Sequence, residues 1–259
     1  SRACGKTPMR TRRRPILNIW IVARRELSAY FTSPLAYVFI VIFLALAGGL
    51  TFFFGQWLER GQADLQVFFI YHPYLYLFLI PAVGMRLWAE ERKSGTIEFL
   101  LTLPVTTGQI VVGKFLAAWV FAGIALALTF PMWITVNMLG QPDNGVILAA
   151  YIGSWLMAGG FLALSACVSA MTKNQVIAFV LASALCFVFM MSGVEIVQSF
   201  FRAWTPQTFV ESVSELSFLT NFNEVSQGVI DVRDLVFFFS VIGIALFVNT
   251  AIVEAKKGV

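Results

Sequence analysis

The run Gly108-Gln109-Ile110-Val111-Val112-Gly113-Lys114-Phe115 follows the phosphate-loop spacing until its last position, where a serine or threonine hydroxyl must hold magnesium. Phe115 supplies no hydroxyl, and the run opens a long apolar stretch instead of following a strand. Lys114 therefore reads as an anchor at a membrane interface, and the chain is expected to bind no nucleotide. His72, the single histidine, stands beside Pro73 and two tyrosines; no metal set or triad can be built around it, so it reads as a packed residue. Cys4, Cys167 and Cys186 form no Cys-x-x-Cys pair, and the last two lie in apolar runs as small hydrophobes. Gly-x-Ser-x-Gly and His-Glu-x-x-His are both absent. The middle thirds of the apolar runs lack Asp, Glu, Lys and Arg, the groups that mark ion paths and proton relays. The expectation is a non-catalytic chain that binds no metal or cofactor and takes its energy from elsewhere.

The elements around these residues are hydrophobic and long. The chain is 59% hydrophobic and only 12% charged, with mean hydropathy +0.81. Soluble domains carry about 25% charged residues, so the medium is a bilayer. Six apolar segments predict transmembrane helices over 35–54, 67–87, 111–139, 146–171, 174–194 and 235–253. Each is long enough to cross roughly 30 Å of hydrocarbon at about 1.5 Å per residue. With the amino terminus inside, fifteen of the 18 lysines and arginines fall in inner segments and only Arg60, Arg202 and Arg233 fall outside. Positive charge stays cytoplasmic, so both ends are assigned there. The net charge of +4 comes largely from Arg10, Arg12, Arg13 and Arg14, which suit anionic lipid and not nucleic acid. Residues 1–15 are expected to be a basic, disordered tail, and 16–257 one membrane domain.

Ahead of the first span, 16–31 predicts an amphipathic helix in the headgroup plane. Ile16, Ile19, Trp20, Ala23, Leu27, Tyr30 and Phe31 fall on one arc, with Asn18, Arg25 and Ser28 opposite. Ser33-Pro34 then ends it. The 86–114 loop is the one substantial inner connection. Within it, Ile97, Leu100 and Leu101 give a short helix an apolar stripe that needs a partner, and Thr106–Gln109 fits a capping box. The fourth span is rich in Gly and Ala, including Gly153, Gly159 and Gly160, which permits close helix approach. The 195–234 loop is acidic and begins half-apolar, as short helices at the outer headgroup level would.

Several segments together resemble the membrane subunit of a type-2 ABC exporter, the ABC-2 permease superfamily. They are Ala23-Arg24-Arg25-Glu26-Leu27, Glu90 to Glu98, Leu100 to Pro104, Gly113-Lys114, Gly228 to Asp231, and Arg233-Asp234-Leu235. Within that superfamily they are most similar to the gliding-motility GldF-like branch. The resemblance implies an all-α polytopic fold with a connecting helix over 16–31, bearing Trp20, Arg24, Arg25, Glu26 and Leu27. It also implies a coupling helix over 90–103, in which Glu90, Glu91, Arg92, Thr96, Ile97, Glu98, Leu100 and Leu101 dock on an ATPase. External re-entrant helices would occupy 195–215. The partners so implied are two copies of a separate ATPase that carries the ATP and magnesium, and a second membrane subunit. That subunit would be a GldG-like protein with an extracytoplasmic domain, or else a second copy of this chain. Export of a substrate and force transmission to an extracytoplasmic partner both fit this arrangement.

The charge asymmetry sets a direct test. Cysteine placed at Ser214 is expected to react with a membrane-impermeant maleimide in intact spheroplasts, and cysteine at Ser94 only after permeabilisation. The reverse pattern would invert the topology.

Overall fold

The structure, a computed structural model, describes residues 15–95, 105–202, 214–229 and 231–256. Among them every regular element is helical. In chain order these are α1 (Pro15–Thr32), α2 (Pro34–Gly49) running into a π-helical turn at Leu50–Phe54, α3 (Gln66–Ile70), α4 (His72–Gly84) and α5 (Arg86–Ser94). There follow α6 (Thr107–Ala127), α7 (Phe130–Leu139), α8 (Asn144–Met171), α9 (Gln175–Met191), α10 (Glu195–Arg202), α11 (Phe218–Ser226) and α12 (Val232–Ala255). Among the described residues four helices are long and apolar enough to cross a membrane: Pro34–Phe54, Thr107–Leu139, Asn144–Met171 and Val232–Ala255. Gln175–Met191 is apolar but has 17 residues.

Local chemistry sets the boundaries. Ser33 has extended backbone and its hydroxyl accepts the N–H of Leu35, so α1 stops and α2 starts with Pro34 at its first position. Asp143, Asn174, Ser217 and Asp231 cap α8, α9, α11 and α12 in the same way. The apolar stretch predicted as one helix over 67–87 is instead three pieces in series. The first ends at Tyr71, just ahead of Pro73; α4 carries Pro81 inside it, and the second junction falls at Met85. Pro131 likewise separates α6 from α7, where the Thr129 hydroxyl donates to the Leu126 carbonyl.

The central helix is α8, buried along most of its length and touched by α4, α5, α6, α9, α11 and α12. Its small residues mark where neighbours approach. An added Cβ on Gly153 would lie 2.7 Å from Val225, and one on Gly159 would lie 2.7 Å from the Trp119 indole. One on Gly160 would enter the Phe218 ring. In lipid, dispersion contacts of this kind, more than apolar burial, hold helices together. The element that fills the face, α11, is missing from the sequence reading, which put the external helices at 195–215. Phe218, Phe222 and Val225 recur at helical spacing and are fully buried, but the polar residues between them hide the stripe.

Serines on α8 satisfy breaks in its neighbours. The Ser169 hydroxyl accepts the N–H groups of Trp88 and Ala89, each at 3.1 Å, and donates to the Met85 carbonyl at 2.7 Å. These backbone groups flank the α4–α5 junction, where the helix has no partners of its own. Nearer the other end, Ser154 Oγ lies 2.8 Å from the Tyr76 hydroxyl and 3.3 Å from His72 Nδ1. His72 is enclosed by Phe43, Phe68, Phe69 and Tyr76.

Gly160→Ala is expected to cost about 1–3 kcal/mol by overpacking against Phe218, read as a lower melting temperature in detergent. Gly48→Ala, where an added Cβ meets nothing within 4 Å, is the matched control and should melt no lower than the parent. Equal melting of the two variants would contradict this packing.

Candidate functional site

The helices α1, α5 and α6 meet at the end of the bundle where the basic residues collect. Packing of α1 along α6 begins with a glycine: a Cβ on Gly113 would lie 2.7 Å from Val22 Cγ1 and 3.2 Å from the Ile19 carbonyl. Without one, the two backbones approach closely. Farther along, Tyr30 stacks on Phe121 at 5.1 Å between centroids and Phe31 meets the same ring edge-on. The start of α6 is fixed by the Thr106–Gln109 capping box read from the sequence. Gln109 also accepts the side-chain N–H of Asn18.

Lys114 sits one residue beyond that glycine, and its side chain is only 3% exposed. Its Nζ lies 2.6 Å from Glu91 Oε1 on α5 and 3.3 Å from Glu26 Oε2 on α1, over the Trp88 ring at 5.6 Å. One ammonium thus joins three helices that are distant in sequence. Arg25 adds a second cation on Glu26 at 3.0 Å, and Arg86 holds Glu90 through two donors at 2.8 and 3.3 Å. Burial pushes the Glu91 carboxyl up from its ordinary range, against the opposing pull of Lys114. Such a pair is weak as a source of stability, but taking away one partner is costly, because the other charge stays buried. Beside the cluster opens a cleft of about 330 Å³, lined by Glu26, Tyr30, Arg86, Glu90, Glu91 and Lys114 among others.

The phosphate-loop-like run is therefore a stretch of helix whose lysine faces two carboxylates. Reading Lys114 as a membrane-interface anchor missed this pairing. The usable signal was its place on a buried stripe with Val111 and Ala118, three and four residues away, and Phe115 beside it, all of them buried. The residues expected at the start of the coupling helix are positioned differently. Glu90, Glu91 and Arg92 belong to the last turns of α5, which Gly95 ends in the left-handed conformation at φ +73°. Glu90 and Glu91 carry the ion pairs, and Arg92 is partly buried on the same helix. Thr96, Ile97, Glu98, Leu100 and Leu101 lie outside the described residues.

On α1 the face packed against α6 includes polar side chains. Asn18, expected on the polar side, turns to α6, and Glu26 does the same. Ala23 is buried and Leu27 partly so, while Ile16, Trp20, Ile21, Arg24 and Arg25 are exposed. The face of α1 turned to α6 thus carries polar partners for Lys114 and Gln109, and Trp20 lies on the outer face.

A family model described as ABC-2 family transporter protein matches residues 20–252. The chain is also similar to the probable ABC transporter permease protein NosY of Pseudomonas aeruginosa, with 26% identity over 174 residues, 61% of each chain. The protein of the same description from Stutzerimonas stutzeri is 26% identical over 190 residues, 67% of each chain. The matched region thus spans less than two thirds of the first relative's length. With the family model extending over nearly all of its helices, this chain belongs to the ABC-2 family of transporter proteins, as an integral membrane protein.

Proposed function

We propose that this chain is the membrane subunit that converts the closure of a separate ATPase into movement of its own helices, in a bacterial inner membrane. The observation that carries the reading is Lys114, which ties α1, α5 and α6 together. The interval 96–104, with the Ile97, Leu100 and Leu101 stripe, joins the end of α5 to the start of α6. A push on that interval reaches both flanking helices, and the lysine makes them move with α1 as one body. Ser169 extends the connection to α8 through the start of α5. ATP and magnesium would sit on two ATPase copies, and a second membrane subunit would complete the path.

Six spans and cytoplasmic ends fit this arrangement. The pieces α3, α4 and α5 run in series with single-residue junctions at Tyr71 and Met85, and together reach the length of one span. Arg92, Lys173 and Lys256 stand at or just beyond helix ends, with Arg86 at the start of α5 and Lys114 in the second turn of α6, which suits a positive-inside placement. Export of a substrate is the first reading. Force transmission, as in a GldF-like complex with a GldG-like partner, is the second. The 55–65 and 140–143 connections are short, so this second reading requires a partner with extracytoplasmic mass of its own.

Two variants test the reading. Leu100→Asp with Leu101→Asp is expected to abolish co-purification of the ATPase while the chain stays in the membrane, since each buried leucine is worth about 1.5–3 kcal/mol. Stoichiometric ATPase in that preparation would sink the docking assignment. Lys114→Met should lower the melting temperature, because two carboxylates stay buried without their cation, a loss of about 3–5 kcal/mol. Adding Glu26→Gln and Glu91→Gln should restore melting but leave transport uncoupled from ATP turnover. Normal coupling in the triple variant would remove the role given to Lys114.

A further inference from the structure

A second group of charges converges on the carboxyl end of α8. The Lys256 ammonium donates to the carbonyl of Met171, the last residue of that helix. Lys173 follows two residues later in the turn to α9. Arg92 lies one helical turn beyond Trp88 and Ala89, whose N–H groups sit on Ser169. Three cations from three parts of the chain thus surround one helix end. The ion pairs among the described residues all use other groups, and the Arg92 Nε is enclosed without an acceptor. Burial, and then the charges of Arg92 and Lys173, pull the Lys256 ammonium below its usual range, which places the three within electrostatic reach. The α8 carboxyl end offsets part of this charge but supplies less than one unit of it.

Next to the cations the surface turns apolar. Met171 is 60% exposed, and Val176, Ile177 and Val180 continue as an exposed stripe along α9. Positive charge that no carboxylate pairs with among the described residues, bordering an apolar helix face, is complementary to one molecule with an anionic head and acyl chains. We propose that Arg92, Lys173 and Lys256 bind the phosphate headgroup of an anionic phospholipid, whose acyl chains lie along Met171, Val176, Ile177 and Val180. The site rests on the cytoplasmic placement of this end proposed above, where anionic lipid attracts basic segments. A lipid there would hold the ends of α5, α8 and α12 together.

The test is lipid retention by the full-length chain in mild detergent, read by native mass spectrometry with phosphatidylglycerol or phosphatidylcholine of identical acyl chains. The parent chain is expected to bind phosphatidylglycerol at least tenfold more tightly, and Arg92→Gln with Lys173→Gln and Lys256→Gln to lose that preference. Lys173→Gln alone, at an exposed position, should lose about half of it on a logarithmic scale and melts as the parent does; this variant decides the matter if the triple one fails to fold. No preference in the parent, or an unchanged preference in both variants, overturns the proposal. Displacement of the lipid by millimolar inorganic phosphate would reduce the site to a phosphate site. Loss of ATPase binding in Lys173→Glu with lipid preference intact would assign the cations to the ATPase instead. Lys173→Cys labelled from outside intact spheroplasts would overturn the orientation, and is separable from the lipid measurement.

Discussion

An ammonium that is 3% exposed cannot stand alone, and much of the arrangement at the basic end follows from keeping Lys114 paired. Glu26 must face α6, so α1 rotates until Asn18 and Glu26 point inward and Trp20 outward. Glu91 must reach the same point, so α5 continues past the apolar stretch until Gly95 ends it. Gly113 lets α1 approach closely enough for the shorter Glu26 side chain to span the gap. The pairing adds little to stability, because desolvation offsets most of the attraction, but it sets which faces of α1, α5 and α6 meet.

The rest of the bundle is organised by size. Glycines on α8 admit Phe218, Val225 and the Trp119 indole at distances that a methyl group would forbid. Close approach substitutes for the hydrophobic drive that lipid removes. At helix breaks, hydroxyls add hydrogen bonds to the backbone: Ser169 takes the Trp88 and Ala89 N–H groups and the Met85 carbonyl at the α4–α5 junction, and Thr129 donates to the Leu126 carbonyl ahead of Pro131.

Much of this was legible in the sequence. The capping box at Thr106, the turn at Ser33-Pro34 and the Gly/Ala-rich face of the fourth apolar segment are local signals, and they hold in the structure. The three-piece course over 66–94 was less legible, because Pro73 and Pro81 each permit either a kink or a break and only tertiary partners decide. The Lys114 cluster was hidden for another reason: Glu26, Glu91 and Lys114 lie in three separate segments, and one sequence does not pair them. A lysine on a helix stripe otherwise made of Val111, Phe115 and Ala118 was the available clue. For α11, the serine cap and the Phe218, Phe222, Val225 spacing were present but obscured by polar neighbours.

The central claim is that α1 and α5 move as one body during the ATPase cycle. Its most direct measurement is the spin–spin distance between labels at Arg24→Cys and Ser94→Cys, with the native cysteines replaced, in the assembled complex. A narrow distribution that is the same in the nucleotide-free and trapped-nucleotide states, and that broadens when Lys114→Met is added, is the predicted result. A distance that changes between the two states with Lys114 intact would contradict the account.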